Sequence, residues 1–172
     1  MIEKASKGLA TFLRRNGSDV SHEVLTYAFA NILNIVLVTV ASITIGFISA
    51  RPIDTIVSLL AFGLIRHFSG GLHMKTMDLC FIVSTLIIVV PPHVMLSANA
   101  VLGITAVGLI CYILFAPNVT EYLNSTKDRK LRNKLISVVL VGANLYVQSS
   151  TLALVYLIQA LLIMPYSRKG GA

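Results

Sequence analysis

Charged residues are scarce in this chain. Only 12% of its 172 residues are charged, whereas 56% are hydrophobic and the mean hydropathy is +0.83. Soluble domains carry about 25% charged residues, and a soluble globule of this size could not cover so much apolar surface. The composition excludes an ordinary soluble domain and predicts an integral membrane protein that folds as one domain over residues 1–172.

Cysteine and acidic residues are also few. Cys80 and Cys111 are too few for a disulfide framework. Cys111 lies within the apolar stretch "GLICYILF", where we expect a small packing residue. The chain has seven acidic and fourteen basic residues, but the basic residues flank apolar segments and do not form one patch. We therefore expect no nucleic-acid partner, and instead orientation by the positive-inside rule and attraction to membrane lipids or an acidic peptide.

The apolar runs predict an all-α bundle of about six transmembrane helices. No cleavable signal peptide is expected, because the first run follows charged residues and is too long. The second run has only about 13 residues, so it is either a short span or a re-entrant segment. The last two runs could instead form one long bent helix. The predicted spans are residues 24–48, 53–65, 79–96, 98–116, 135–147 and 152–164.

Basic residues predict the orientation. Residues 2–15, "IEKASKGLATFLRR", suit an amphipathic helix at the membrane surface within residues 1–20, although a solvated basic tail is the alternative. Residues 117–134 are predicted as a basic cytoplasmic loop. Six spans with the N-terminus inside leave only Arg51 of the 14 lysines and arginines outside. This predicts a multi-pass protein of the cell membrane with both termini, and residues 66–80, on the cytoplasmic side.

Residues 66–80, "RHFSGGLHMKTMDLC", gather the chain's candidate chemical groups. A cysteine thiol with its ordinary pKa of about 8.5 is mostly protonated at neutral pH, so Cys80 needs a base such as His73. On a continuous helix, seven positions would separate the two side chains by roughly 10 Å. A helix must therefore begin between them. Gly70 and Gly71 permit a turn, and Thr76 or Asp78 can cap a helix whose first turn holds Cys80.

Neighbouring residues have less definite roles. Arg66 could bind a substrate carboxylate or loop carbonyls, and Asp78 could orient His73 or only cap the helix. His67 and His93 are interpreted as interfacial bystanders. The pattern itself leaves open that His73 and Cys80 are merely structural. A metal site made of His67, His73, Asp78 and Cys80 matches no standard zinc spacing, so we expect no metal and no cofactor.

The pattern R-x(3)-GG-x-H-x(6)-C, formed by Arg66, Gly70, Gly71, His73 and Cys80, resembles the accessory gene regulator B family. Its members are membrane cysteine endopeptidases of Gram-positive quorum sensing. The resemblance is specific at residues 66–80 and architectural over nearly the whole chain. It implies that Cys80 is the nucleophile and His73 the general base, with Arg66, Gly70, Gly71 and Asp78 in support.

The resemblance also implies a substrate: a small precursor peptide with an amphipathic helix, a short core and an acidic C-terminal tail. Cys80 would release the tail through an acyl-enzyme thioester, and a thiol or hydroxyl of the core would then close a thiolactone or lactone. The basic segment could attract the acidic tail, although a solvated positive-inside loop explains it equally well. The residues of this basic segment are Lys127, Arg129, Lys130, Arg132 and Lys134.

Two other classes of function remain open. Asn31, Asn34, Asn144 and Gln159 place amides at membrane depth, as in a small transporter or export component, although such amides also join helices. A non-catalytic membrane partner of a sensor kinase is the other class. A homodimer is compatible with all of these, and backbone amides near Cys80 are the first candidates for oxyanion donors.

Overall fold

The computed structural model describes residues 1–71, 76–117 and 127–164, and all regular structure in these ranges is helical. This confirms the all-α class. A 3-10 turn at Pro91–His93 follows the fourth helix. The α-helices are α1 (Ile2–Arg15), α2 (His22–Ile48), α3 (Pro52–Ser69), α4 (Met77–Val89), α5 (Ala98–Phe115), α6 (Lys127–Val147) and α7 (Ser150–Ile163).

The exterior of the bundle is apolar. Helices α2 and α5 are each long and apolar enough to cross a membrane, and α4 with its 3-10 turn and α7 are shorter apolar helices. Only 17% of the most apolar window of α2 is buried inside the protein, and Ile48 is 81% exposed. Such a surface is stable in lipid rather than in water, which indicates membrane association. The number of crossings, predicted as six, stays a prediction.

The structure changes the boundaries of two predicted segments and excludes one alternative. The second apolar run is longer than predicted, because Pro52 starts α3 at its first position and the helix continues through the polar residues to Ser69. Residues 127–134, predicted as part of a loop, are the first two turns of α6, since lysine, arginine and leucine are good helix formers. One long helix over 135–164 is wrong, because α6 ends at Val147 and Ser149 caps α7.

The candidate site is positioned by helices on one side of the bundle. Helix α7 packs against α3 and α5, while α2 packs against α3 and α4. The apolar core contains Ile65, Ile88, Val141 and Val155, and the buried hydroxyl of Tyr112 donates to the Tyr156 carbonyl at 3.2 Å. These contacts hold the end of α3 and the start of α4 beside the middle of α2.

Helix α1 lies against α2 and α4. Ile2, Ser6 and Ala10 face the bundle, whereas the apolar side chain of Phe12 is 65% exposed. At the start of α4, the Asp78 carboxylate accepts hydrogen bonds from the Met1 amine and from the Ile2 N–H, the latter at 3.0 Å. The bond from the amine, reinforced by the one from Ile2, lowers the pKa of Asp78, which lies before the apolar part of α4. Asp78 therefore fastens α1 to α4.

Candidate functional site

A cavity of about 640 Å³ opens between α2, α3 and α4. This volume lies within the range of ligand pockets in proteins. Polar groups enter the cavity from all three helices, so it differs from the apolar exterior. The polar lining consists of Tyr27, Asn31, Asn34 and Thr39 from α2, Arg66 and His67 from α3, and Cys80 and Ser84 from α4.

Cys80 lies in the first turn of α4 on the cavity wall. Thr76 caps this helix: its hydroxyl accepts from the Leu79 N–H at 3.3 Å, and its carbonyl accepts from the Cys80 N–H at 3.1 Å. The predicted helix start between residues 73 and 80 is confirmed, with Thr76 as the cap. The thiol therefore lies near the positive end of the α4 dipole, where a thiolate is stabilised.

The two glycines after α3 form the turn that the sequence predicts. Gly70 has φ 69° and Gly71 has φ 152°, conformations that other residues rarely adopt. The buried Gln159 of α7 donates its Nε2 to the Gly70 carbonyl at 2.6 Å and to the Ser69 hydroxyl at 3.3 Å. A Cβ on Gly71 would come within 2.9 Å of the same nitrogen. The positive φ angle therefore favours glycine at both positions, and the close approach of α7 favours it further at Gly71.

Arg66 joins this turn to the cavity. It lies in the last turn of α3, where a cation is favoured by the helix dipole, and its guanidinium is 5.8 Å from the centre of the Phe62 ring. Its Nη1 is 3.6 Å from the position that a Cβ on Gly71 would occupy. A fixed cation at the cavity wall can bind a carboxylate or a carbonyl oxygen of a ligand.

The structure places the other predicted residues in different surroundings. His73 lies outside the described residues, so its predicted role as base stays a prediction. Asp78 contacts the start of α1 and is about 200° around α4 from Cys80, which turns it away from the cavity. His67, interpreted as a bystander, lines the cavity, whereas His93 is exposed in the 3-10 turn. Cys111 lies in the apolar core, which confirms its packing role.

The four amides predicted at membrane depth fall into two pairs. Asn144 donates to the Thr105 hydroxyl at 3.0 Å and accepts from the Ser149 N–H at 3.0 Å. Together with Gln159, it joins helices within the protein. Asn31 and Asn34 instead face the cavity. One face of α2 carries Tyr27, Asn31 and Asn34, because they are spaced four and three positions apart. This spacing is visible in the sequence, and sequence reasoning missed it.

The basic segment lies elsewhere in the bundle. Helix α6, which carries these residues in its first two turns, packs against α5, α3 and α7. None of the five basic residues lines the cavity, and Lys127, Arg129 and Arg132 are exposed. Any contact between this segment and a peptide at Cys80 therefore requires a ligand long enough to reach both.

The fold and the cavity define a class: a helical, membrane-associated protein with a thiol at a helix start, beside a cation and several amides. A family model described as "Accessory gene regulator B" matches residues 6–166. The chain belongs to this family.

Proteins named accessory gene regulator protein B are similar to the chain over part of its length. One from Staphylococcus aureus strain bovine RF122 is 30% identical over 90 residues, covering 50% of the chain and 48% of the relative. One from Staphylococcus haemolyticus is 24% identical, covering 59% and 56%. One from Staphylococcus saprophyticus is 33% identical, covering 46% and 44%. The chain thus spans about half the length of these curated relatives. No solved structure matches the chain.

Proposed function

We propose that this protein is a membrane-embedded cysteine endopeptidase that removes the acidic tail of a small quorum-sensing precursor and promotes cyclisation of the remaining peptide. One observation carries the proposal: Cys80 lies in the first turn of α4 on the wall of a cavity that Arg66, the first residue of the same motif, also lines. Family membership supports the same activity. We assign the site to the cytoplasmic face of a multi-pass protein, as the distribution of lysine and arginine predicts.

The first step is acyl transfer to Cys80. His73 takes the thiol proton, and the thiolate attacks the carbonyl carbon at the junction of core and tail. The peptide C–N bond breaks as the S–C bond forms, and the imidazolium returns its proton to the leaving amine of the tail. The products are a free tail and an acyl-enzyme thioester. The cavity between α2, α3 and α4 is open, so we expect the bound peptide itself to exclude water and protect the thioester from hydrolysis.

The second step closes the ring. A thiol or hydroxyl of the bound core loses its proton to His73 and attacks the thioester carbon. The S–C bond to Cys80 breaks, the Cys80 sulfur regains a proton, and a thiolactone or lactone leaves. Bond energy is roughly conserved when one thioester replaces another, so release of the tail or removal of the product drives the sequence forward.

The apolar exterior suits the precursor that we propose. An amphipathic peptide helix concentrates at the membrane surface, beside a site that opens between membrane-associated helices. The exposed cations of α6 would attract the acidic tail at longer range. Membrane lipids are therefore a second partner, and a homodimer would cover part of the exposed apolar surface.

The test is release of the tail in membranes. The chain is expressed with the candidate precursor, a short neighbouring gene product with an amphipathic helix, an internal Cys or Ser and an acidic tail that carries an epitope tag. We expect Cys80→Ala to reduce tail release by at least about 10⁴-fold, since a nucleophile is lost, and His73→Ala to reduce it strongly. Cys111→Ala is the matched control and should process normally. Equal processing by wild type and Cys80→Ala would reject the proposal.

A transporter is separated from this function by one further measurement. The cavity contains Asn31 and Asn34, the two amides that a transporter could use. If the protein only exports peptide, proteoliposomes should show flux that survives Cys80→Ala and no tail should be released. We expect instead that the tail is released and that no peptide flux survives Cys80→Ala.

A further inference from the structure

Asn34 is the side chain of α2 that reaches the candidate nucleophile. Its Nδ2 is 3.9 Å from the Sγ of Cys80, although the two residues are 46 positions apart in the chain. Its Oδ1 is buried and has no hydrogen-bond partner among the described residues. A buried amide oxygen without a partner is costly, and at the wall of a cavity it indicates a place for a ligand donor.

Peptide cleavage at Cys80 needs a donor for the oxyanion. When the thiolate adds to a carbonyl carbon, the oxygen on that carbon becomes negative, and donors at about 2.7–3.1 Å must stabilise it. The backbone amides next to the sulfur are the usual first candidates. Here they are occupied: the Cys80 N–H bonds the Thr76 carbonyl at 3.1 Å, and the Leu79 N–H bonds the Thr76 hydroxyl at 3.3 Å.

The side-chain amide of Asn34 is in position for this task. The carbon under attack is bonded to Sγ, so its oxygen is two bonds from the sulfur. A donor nitrogen 3.9 Å from Sγ, on the wall of the same cavity, can reach an oxygen placed there. The unpartnered Oδ1 could then accept an N–H of the bound peptide, so both ends of the amide would be used.

We propose that Asn34 is an oxyanion donor for acyl transfer at Cys80 and positions the scissile peptide through its Oδ1; this rests on the proposed endopeptidase function. The competing role is that Asn34 only joins α2 to α4 by its contact with the sulfur. The two roles differ in what they change. An oxyanion donor lowers the barrier of acylation, whereas a contact between helices affects folding or the thiol itself.

The experiment compares Asn34→Leu, which keeps the branching and removes the donor, with Asn34→Gln, which keeps an amide. Tail release from the epitope-tagged precursor gives kcat and KM, and site-resolved iodoacetamide labelling gives the reactivity of Cys80. We expect Asn34→Leu to lower kcat by about 10²–10³-fold, as loss of a side-chain oxyanion donor does, and to raise KM by a smaller factor, about 10-fold or less, because the bond from the peptide to Oδ1 is lost as well. Asn34→Gln should recover part of kcat, and alkylation of Cys80 should stay at the wild-type rate.

Two results would overturn the proposal. Either Asn34→Leu cleaves at nearly the wild-type rate, or its cleavage and its Cys80 alkylation fall by the same factor, which would show an effect on the thiol. If Asn34→Leu does not accumulate in the membrane, Asn34→Ala replaces it against Asn34→Gln with the same criteria. Asn99→Leu, an exposed asparagine at the start of α5, controls for the added leucine. Failure of the endopeptidase proposal is distinct, because wild type and Cys80→Ala would then behave alike.

Discussion

The two cysteines of this chain are almost equally buried and differ completely in surroundings. Cys80 is 7% exposed and Cys111 is 8% exposed. Cys80 lies in the first turn of α4 and shares a cavity wall with an arginine, a histidine and two asparagines, whereas Cys111 lies in the C-terminal part of α5, in the apolar core. Exposure therefore does not distinguish the two thiols. The helix terminus and the polar groups around the Cys80 sulfur do, because they can stabilise charge that an apolar core cannot.

Among the substitutions that compare the surroundings of the two cysteines, the largest loss of tail release is expected when a methyl group is added to Gly71. The same change at Gly103 is the control. Gly71→Ala forces an alanine into φ 152° and places its Cβ 2.9 Å from Gln159 Nε2, so the backbone of the turn is strained and the turn or the Gln159 amide must shift. A displacement of about 1 Å can cost about 100-fold in rate, and we expect a loss of tail release of that size. Gly103→Ala, on the helix of Cys111, meets no heavy atom within 4 Å and should process normally. Equal activity of the two variants would contradict the role of the turn.

A smaller effect is expected at Gln159. Gln159→Met keeps an unbranched side chain and removes the donor to the Gly70 carbonyl, which costs about 1–3 kcal/mol for a buried group. We expect about a 10-fold loss of tail release, with the Cys111 environment unchanged. Leu161→Met, at an exposed position of the same helix, is the control. The idea fails if Gln159→Met releases the tail as fast as Leu161→Met.

The sequence predicted the local parts of this site and missed those that depend on packing. The diglycine turn, the cap at Thr76 and the helix start before Cys80 follow from residue types over a dozen positions. Gln159 is 89 positions from Gly70 and Asn34 is 46 from Cys80, so no local pattern links them. His67 was interpreted as an interfacial bystander, and only the packing of α3 against α2 and α4 places it in a cavity.

The smallest effect is expected from the basic residues of α6, the helix that packs against α5, which carries Cys111. Reversing the charge of Lys127, Arg129 and Arg132 should raise KM for the precursor several-fold at low salt, since each exposed ion pair contributes about 0.2–1 kcal/mol. The effect should shrink as salt is added, because screening weakens exposed charges. Reversal of Lys4 and Lys7 in α1 is the matched control. A change in kcat instead of KM would contradict a binding role.

The most direct test of the account is the rate at which each cysteine reacts with iodoacetamide in intact membranes, followed by site-resolved mass spectrometry and tail release on the same samples. We expect Cys80 to be alkylated at least about 10-fold faster than Cys111, since Cys80 lies on a cavity with polar groups whereas Cys111 lies in the apolar core. We also expect tail release to fall in proportion to the fraction of Cys80 modified. Equal labelling of the two cysteines, or tail release that persists after Cys80 is fully modified, would contradict a catalytic thiol at the start of α4.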